Sequence, residues 1–287
     1  MSDFTKYHAL GNDYLVVDPL RVEFTATAQS VRLLCDRHRG VGADGVLIGP
    51  TAAPRPGEPV GLRIFNSDGS PCEKSGNGLR MFALFLAEHY AQEGSGRNAS
   101  GQRSHVLRTV AGDSRTDILD FDRGLVRVDM GEPDFATDAP SVLTAGTRRL
   151  DVINLHLGNP HTVVPLDDVT PGLAKELGPH IAWHSAFPQG TNVQFLRVLD
   201  RDRIRIEVWE RGAGYTLASG SSACAATAAA HRLGLVGGHV HVEMAGGSVE
   251  VSVGERGGIS LTGVSEKVAA GRFSPAFRAR LAAGAAA

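Results

Sequence analysis

Cysteine is scarce in this sequence: three residues, Cys35, Cys72 and Cys224, in a chain of 287. Three thiols are too few for a disulfide framework, and none stands at metal-ligand spacing from a histidine or another cysteine, so neither a disulfide-stapled scaffold nor a zinc site is expected. Neither sign of charge is in excess, with 29 basic and 31 acidic residues and a formal net charge of −2. That balance removes the electrostatic argument for nucleic acid or an anionic membrane surface as a partner. Long apolar runs are missing as well: stretches of helix length are broken by Arg, His or Glu, well short of the roughly 20 residues that cross a bilayer. No charged-then-apolar leader opens the chain. The expectation these absences leave is a cytoplasmic protein with reduced thiols, no metal and a small-molecule ligand.

What is present is apolar material, 42% of the residues, in a chain long enough for one large core or two modest ones. Two is the expectation, because the chain looks duplicated. Ser75-Gly76-Asn77-Gly78-Leu79-Arg80 and Ser219-Gly220-Ser221-Ser222-Ala223-Cys224 place the same Ser-Gly-x-Gly/Ser turn before an Ala/Leu-rich helical run, 144 residues apart (219 − 75). Helices are predicted from Thr27 to Asp36 behind a Thr cap, and from Met81 to Tyr90 and Ala223 to Leu233 as continuations of the two turns. Strands are predicted over Leu62–Phe65, Leu125–Val128, Asn192–Val198, Arg203–Trp209, His239–Glu243 and Ser248–Val253, where β-branched and apolar residues alternate between Gly, Pro and Asp. Parallel winding would need a helix between most strands, which the pattern lacks. The expected fold is therefore α/β, with a mostly antiparallel sheet rolled around one central helix in each half. Glu93 to Ser104 and Thr51 to Pro59 read as surface insertions, the Asn98-Ala99-Ser100 triplet as a chance match to a glycosylation acceptor, and Met130-Gly131-Glu132-Pro133 as the exit from the first half. The closing Ala-Ala-Gly-Ala-Ala-Ala is expected to fray.

A helix N-terminus offers unpaired backbone N–H groups and a partial positive charge, so each turn can hold an anion such as a carboxylate. Around the turns lie Gly11-Asn12-Asp13, Asn66-Ser67-Asp68-Gly69, Gly158-Asn159-Pro160-His161, Gly190-Thr191-Asn192 and Trp209-Glu210-Arg211-Gly212. One Gly-Asn pair alone is a turn residue tolerating positive φ. Four such clusters beside a Glu-Arg pair supply what fixes a zwitterionic amino acid: amides, a guanidinium that pairs bidentately with a carboxylate, and a carboxylate that accepts from an ammonium.

Those clusters, with Lys6-Tyr7-His8-Ala9-Leu10-Gly11-Asn12-Asp13-Tyr14, Asp36 to Gly45, Gly76-Asn77-Gly78 and Phe187-Pro188-Gln189-Gly190-Thr191-Asn192-Val193, resemble diaminopimelate epimerase in order from about Lys6 to Val264. The resemblance implies two pseudo-symmetric domains, residues 1–131 with about 265–287, and 132–264, and a site in the cleft between them. It implies cofactor-independent epimerisation of an amino-acid α-carbon, LL- to meso-diaminopimelate, in lysine and peptidoglycan-precursor biosynthesis, by a protein that could pair as a homodimer. Its substrate-contacting positions fall at Asn12, Asn66, Asn159, Asn192, Glu210 and Arg211, with Gly76, Asn77, Gly220 and Ser221 supplying backbone N–H groups to the reacting carboxylate. The family's two catalytic cysteines fall at Ser75 and Ser219.

That departure is chemical. A thiol near pKa 8.5 becomes a thiolate at a helix N-terminus, whereas an alcohol starts many units higher and needs another group to take its proton. Ser75 and Ser219 are kept as the candidate catalytic pair, together with the titratable His161 and Glu210. Serine is also a favoured N-cap, so both could simply cap their helices. Cys72, three residues before Ser75, is a remote candidate for a displaced thiol, and Cys35 and Cys224 read as small core residues. Three functions stay open: an epimerase or racemase with weakened or silenced serines; a relative with a changed reaction, a one-base isomerase or dehydratase, which Lys74, Tyr215 and Leu217 beside the serines favour; and a catalytically inactive amino-acid-binding protein.

Overall fold

The computed structural model describes residues 2–90, 96–97, 103–135 and 139–286; the stretch 93–104 with its Asn98-Ala99-Ser100 triplet falls mostly outside them. The chain forms two units, residues 1–128 with 264–287, and residues 129–263. Among the described residues no helix is long and apolar enough to cross a membrane.

The first unit opens with an antiparallel hairpin, Phe4–Ala9 and Asn12–Val17. Its two-residue loop needs positive φ at both positions, found at Leu10 (54°) and Gly11 (85°), which aims Asn12 at the start of its strand. Helix α1 (Ala28–Cys35) follows, closed at its start by a reciprocal capping box between Thr27 and Ser30. The chain then lays Gly45–Ile48 parallel to Asn12–Val17 and Arg63–Asn66 antiparallel to Gly45–Ile48, and the short Pro71–Cys72 strand completes the edge. Helix α2 (Gly76–His89) comes next. Every residue from Gly76 to Ala87 is buried, as a helix surrounded by sheet must be. It packs against both strands of the opening hairpin and against the later strands Arg103–Thr109 and Gly112–Asp120. Glu266–Gly271 returns to pair with Phe4–Ala9, and the last helix lies on α1.

The second unit repeats this order. Ile153–His156 and Pro160–Pro165 form the hairpin, and α3 (Pro171–Ala182) starts behind a Thr170 cap with Pro171 in its first turn. Asn192–Asp200 then runs parallel to Pro160–Pro165, Arg203–Glu210 antiparallel to that, and Gly214–Thr216 antiparallel again. Helix α4 (Gly220–Arg232), buried throughout from Gly220 to Ala230, is the central helix. His239–Met244, Gly247–Val253 and Ile259–Val264 finish the unit as a meander.

The expected fold class holds: most pairings are antiparallel, and the strands of each unit pack around one central helix. The parallel pairings after α1 and α3 are those a crossover helix permits. One expectation fails. Within the described residues the Ala-rich terminus is helical, as part of α5 (Pro275–Ala286), and Phe273 and Leu281, buried in the core that includes α1, tie the start of that segment down; Ala287 lies outside the described residues.

Candidate active site

Ser75 and Ser219 are N-caps in extended backbone conformation, and each hydroxyl accepts the third N–H of its helix: Gly78 N to Ser75 Oγ at 3.1 Å, and Ser222 N to Ser219 Oγ at 3.4 Å. The capping role is therefore real at both ends. Each hydroxyl also sits at the positive end of a helix, where an anion is favoured. Ser219 Oγ lies 3.5 Å from Ser221 Oγ, and its backbone N–H points at Met244 Sδ, 3.4 Å away. Among the described residues no carboxylate, imidazole or amine bonds to either serine hydroxyl.

In the first unit the loop that starts the second strand and the first turn of α2 meet. Asn77 Nδ2 donates to Asn12 Oδ1 at 2.9 Å, Asn12 Nδ2 donates to Asp44 Oδ2 at 3.0 Å, and the buried Arg80, one turn beyond Asn77, donates to Asn77 Oδ1 at 2.5 Å. Beside them Arg37 donates to both oxygens of Asp13 (2.7 and 3.2 Å) and to Asp44 Oδ1 (2.8 Å), while Lys6 Nζ lies 2.8 Å from Asp13. Burial alone would raise the Asp13 pKa, but the bonds from Arg37 and Lys6 outweigh it and bring the carboxyl to about 2. Asn66 ends its strand opposite Gly45, which pairs in turn with Tyr14; its amide donates to Ser70 Oγ at 3.0 Å and not to Asn12 or Asn77. Gly45 is obligatory there. A Cβ would come within 2.5 Å of both the Phe65 carbonyl and the Tyr14 ring. Cys72 Sγ lies 3.4 Å from the Lys74 carbonyl, the peptide group just before the Ser75 cap.

In the second unit His161 is fully enclosed. Its Nδ1 faces Gln194 Nε2 at 3.0 Å and its Nε2 faces Asn159 Oδ1 at 2.7 Å, and Gln194 Nε2 also donates to Ser222 Oγ at 3.0 Å. An amide nitrogen is a donor, so Nδ1 accepts and the ring proton sits on Nε2, donated to Asn159. Burial holds the imidazole pKa down to about 3. Asn159 thus has its oxygen pinned. Asn192 Oδ1 accepts the Arg211 backbone N–H at 3.0 Å while its Nδ2 donates to the Pro160 carbonyl at 3.0 Å, which ties the Glu210-Arg211 corner to the hairpin loop. Arg211 Nη1 donates to the Gln189 carbonyl at 3.2 Å, and its aliphatic stem lies where a Cβ on Gly190 would come to 3.0 Å. Gly190, at φ 71°, gives that stem its room.

The two units carry these residues at matching stations. From Asn12 to Gly45 and from Asn159 to Asn192 is 33 residues in each case (45 − 12, 192 − 159), and from Asn66 to Ser75 and Glu210 to Ser219 is nine (75 − 66, 219 − 210). Sequence reasoning missed Arg80, Asp44 and Gln194. Arg80 carried a signal, its i, i+3 spacing from Asn77 on one helix face, as did Gln194, two residues after Asn192 on one strand face.

The chain matches the diaminopimelate epimerase family over residues 4–136 and 153–268. Among curated relatives, diaminopimelate epimerase 2 of Nostoc sp. is 40% identical over 94% of this chain and 95% of its own, and diaminopimelate epimerase of Acinetobacter baumannii is 36% identical over 94% and 96%. Solved structures with a similar fold include a probable proline racemase from Agrobacterium radiobacter (TM-score 0.72, 16% identity, 96% of this chain and 93% of that one) and a hydroxyproline epimerase from Agrobacterium vitis (0.69, 15%, 93% and 90%). Fold and relatives together define a PLP-independent isomerase of the epimerase and racemase class. Within that class, the chain belongs to the diaminopimelate epimerase family. The unmatched stretch between the two segments includes the Val142–Ala145 and Arg148–Asp151 hairpin, whose Leu143, Ala145 and Leu150 join the core beneath α3.

Proposed function

We propose that this chain acts in the cytoplasm on the α-carbon of diaminopimelate, exchanging the LL and meso forms without a cofactor, with Ser75 and Ser219 in the two proton-handling positions and a low rate of turnover. The observation that carries the reading is the repeated station: an N-capping serine heads the central, largely buried helix of each unit, with amides and the Glu210-Arg211 pair on the strand ends beside it. The N–H groups of Gly76, Asn77, Gly220 and Ser221 suit a carboxylate at the reacting centre. Asn12, Asn66, Asn159 and Asn192 line its surroundings. Arg211 suits the distal carboxylate, and Glu210 an ammonium. His161, with both nitrogens engaged and its proton held on Nε2, serves by orienting Asn159.

The low rate follows from the hydroxyls. Inversion needs a base on one face of the α-carbon and an acid on the other. A helix terminus contributes on the order of 1 kcal/mol to a nearby anion, under one pKa unit at about 1.36 kcal/mol each. That is far less than separates an alcohol from a thiol.

The test is solvent-deuterium incorporation at the α-carbon of LL- and meso-diaminopimelate, read by NMR. The wild-type chain should exchange slowly, and Ser75→Cys with Ser219→Cys should exchange faster by on the order of a hundredfold or more, with inversion. Either single change should add exchange mainly without inversion, since one thiol returns the proton to the face it came from. A double variant that binds diaminopimelate and shows no exchange would sink the reading in favour of a binding protein. Loss of water in place of exchange would favour a dehydratase.

A further inference from the structure

Arg80 and Asp44 stand at the two ends of a hydrogen-bonded line through Asn77 and Asn12, and chemistry allows that line one direction. A guanidinium has donors and no acceptor, an ionised carboxylate has acceptors and no donor, and an amide has both and can turn either way. Arg80 Nη2 takes Asn77 Oδ1, so Asn77 must donate through Nδ2 to Asn12 Oδ1, and Asn12 must donate through Nδ2 to Asp44 Oδ2. Turning either amide over would set donor against donor or acceptor against acceptor. Arg80 is 0% and Asn77 3% exposed, so water does not relieve the conflict at that end. At the other end, Arg37 and the Asp13 N–H hold the Asp44 carboxylate, at 2.8 and 3.1 Å.

Each amide commits its oxygen and one N–H to the line and keeps one N–H. We propose that Arg80 and Asp44 are positioning residues that make Asn12 and Asn77 donors toward the ligand, so that this half of the site selects a carboxylate. Two N–H groups suit the two oxygens of a carboxylate; a carboxamide brings one oxygen and a competing donor. The proposal rests on the proposed function, in which Asn12 is a substrate contact and Asn77 meets the carboxylate through its backbone N–H; it adds the remaining side-chain N–H of Asn77 as a second donor there. Either end alone keeps the direction, because one fixed terminus dictates both amides. Only loss of both ends releases them.

The experiment uses the full chain with meso-diaminopimelate and its two monoamides as calorimetric probes, and reads the side-chain amide resonances and hydrogen exchange of Asn12 and Asn77 without ligand. Wild type should prefer diaminopimelate to one of the monoamides by about tenfold or more, on the order expected for one mispaired buried polar group. Asp44→Ala and Arg80→Gln should each keep that preference within about threefold, whereas the double variant should lose it and exchange its Asn amide hydrogens about tenfold faster, a strongly non-additive pattern. Asp44→Ala with Arg80→Lys, which keeps a donor-only group in the buried place, should retain the preference and covers the case in which the Gln variant does not fold. The proposal is overturned if that lysine variant loses the preference, if a single variant frees the amides as fully as the double, or if all probes weaken in parallel. If wild type binds no probe, the diaminopimelate reading fails, and amide exchange in the free protein decides the positioning claim by itself.

Discussion

His161 and Asp13 are both buried and both titrate far from their ordinary values, for opposite reasons. Burial holds His161 at about 3, down from 6.5. Between those values the unfolded chain binds a proton that the folded chain does not, so stability falls as pH drops from about 6.5 toward 3. Burial of Asp13 works against its charge, but Arg37 and Lys6 prevail and bring it from 3.8 to about 2. Its contribution is present above its unfolded value and is lost as pH falls from about 4 to 2. The two windows overlap between about pH 3 and 4, and the range from about pH 6 to 4 belongs to His161 and not to Asp13, which makes them separable. His161→Gln should flatten the decline in urea midpoint between about pH 6 and 4, leaving a residual slope from His89, which burial also lowers. Asp13→Asn should flatten the profile only below about pH 4. A His161→Gln protein with the wild-type slope between pH 6 and 4 would show that the enclosed imidazole is not the group responsible.

At the scale of elements, the serines do structural work whatever their chemistry. Ser75→Ala and Ser219→Ala should each cost about 1 kcal/mol in denaturant unfolding, the usual loss for an N-cap, and the two losses should add because the capped helices belong to different units. A cost near zero at either position would mean the N3 amide finds another acceptor. Three helices, α1, α2 and α4, were legible in the sequence because each begins with a Thr or Ser cap and continues in apolar periodicity. Helix α3 has the same opening signal, Thr170 and Pro171, but Gly178 and Pro179 argue against a helix on propensity. Packing overrides that. A Cβ on Gly178 would lie 2.6 Å from the Trp209 ring, so the glycine is where the helix comes close to the strand leading to Glu210-Arg211. Helix α5 was missed because its tail carries little but alanine, and what holds it is a contact made by Phe273 and Leu281, distant in sequence from α1.

At the scale of the whole chain, the duplication was legible from two short turns, and the element order of both units extends it. The line from Arg80 to Asp44 and the His161–Gln194–Ser222 set were not legible, because they join residues separated by up to tens of positions and exist only once the strands are in register. The division of the chain also has a consequence for stability. Unit 1 is closed by the far end of the sequence: Glu266–Gly271 pairs with Phe4–Ala9, Phe273 stacks on Phe4 at 5.3 Å, and Asp3 accepts from the Phe273 N–H at 2.7 Å and from Arg278 at 2.6 Å. Loss of a buried Phe and a buried Leu costs roughly 2–5 kcal/mol each, and a domain has only about 5–15 kcal/mol to lose. Deleting residues 264–287 should therefore collapse hydrogen-exchange protection at Leu15, Val17, Val31 and Leu34, which share a core with Phe273 and Leu281. Protection at Val164, Val193 and Phe195, in the separate core of unit 2, should survive. If protection disappeared from both sets together, the two cores would be one cooperative unit, and the repeated order would describe ancestry of the fold without describing how its stability is divided.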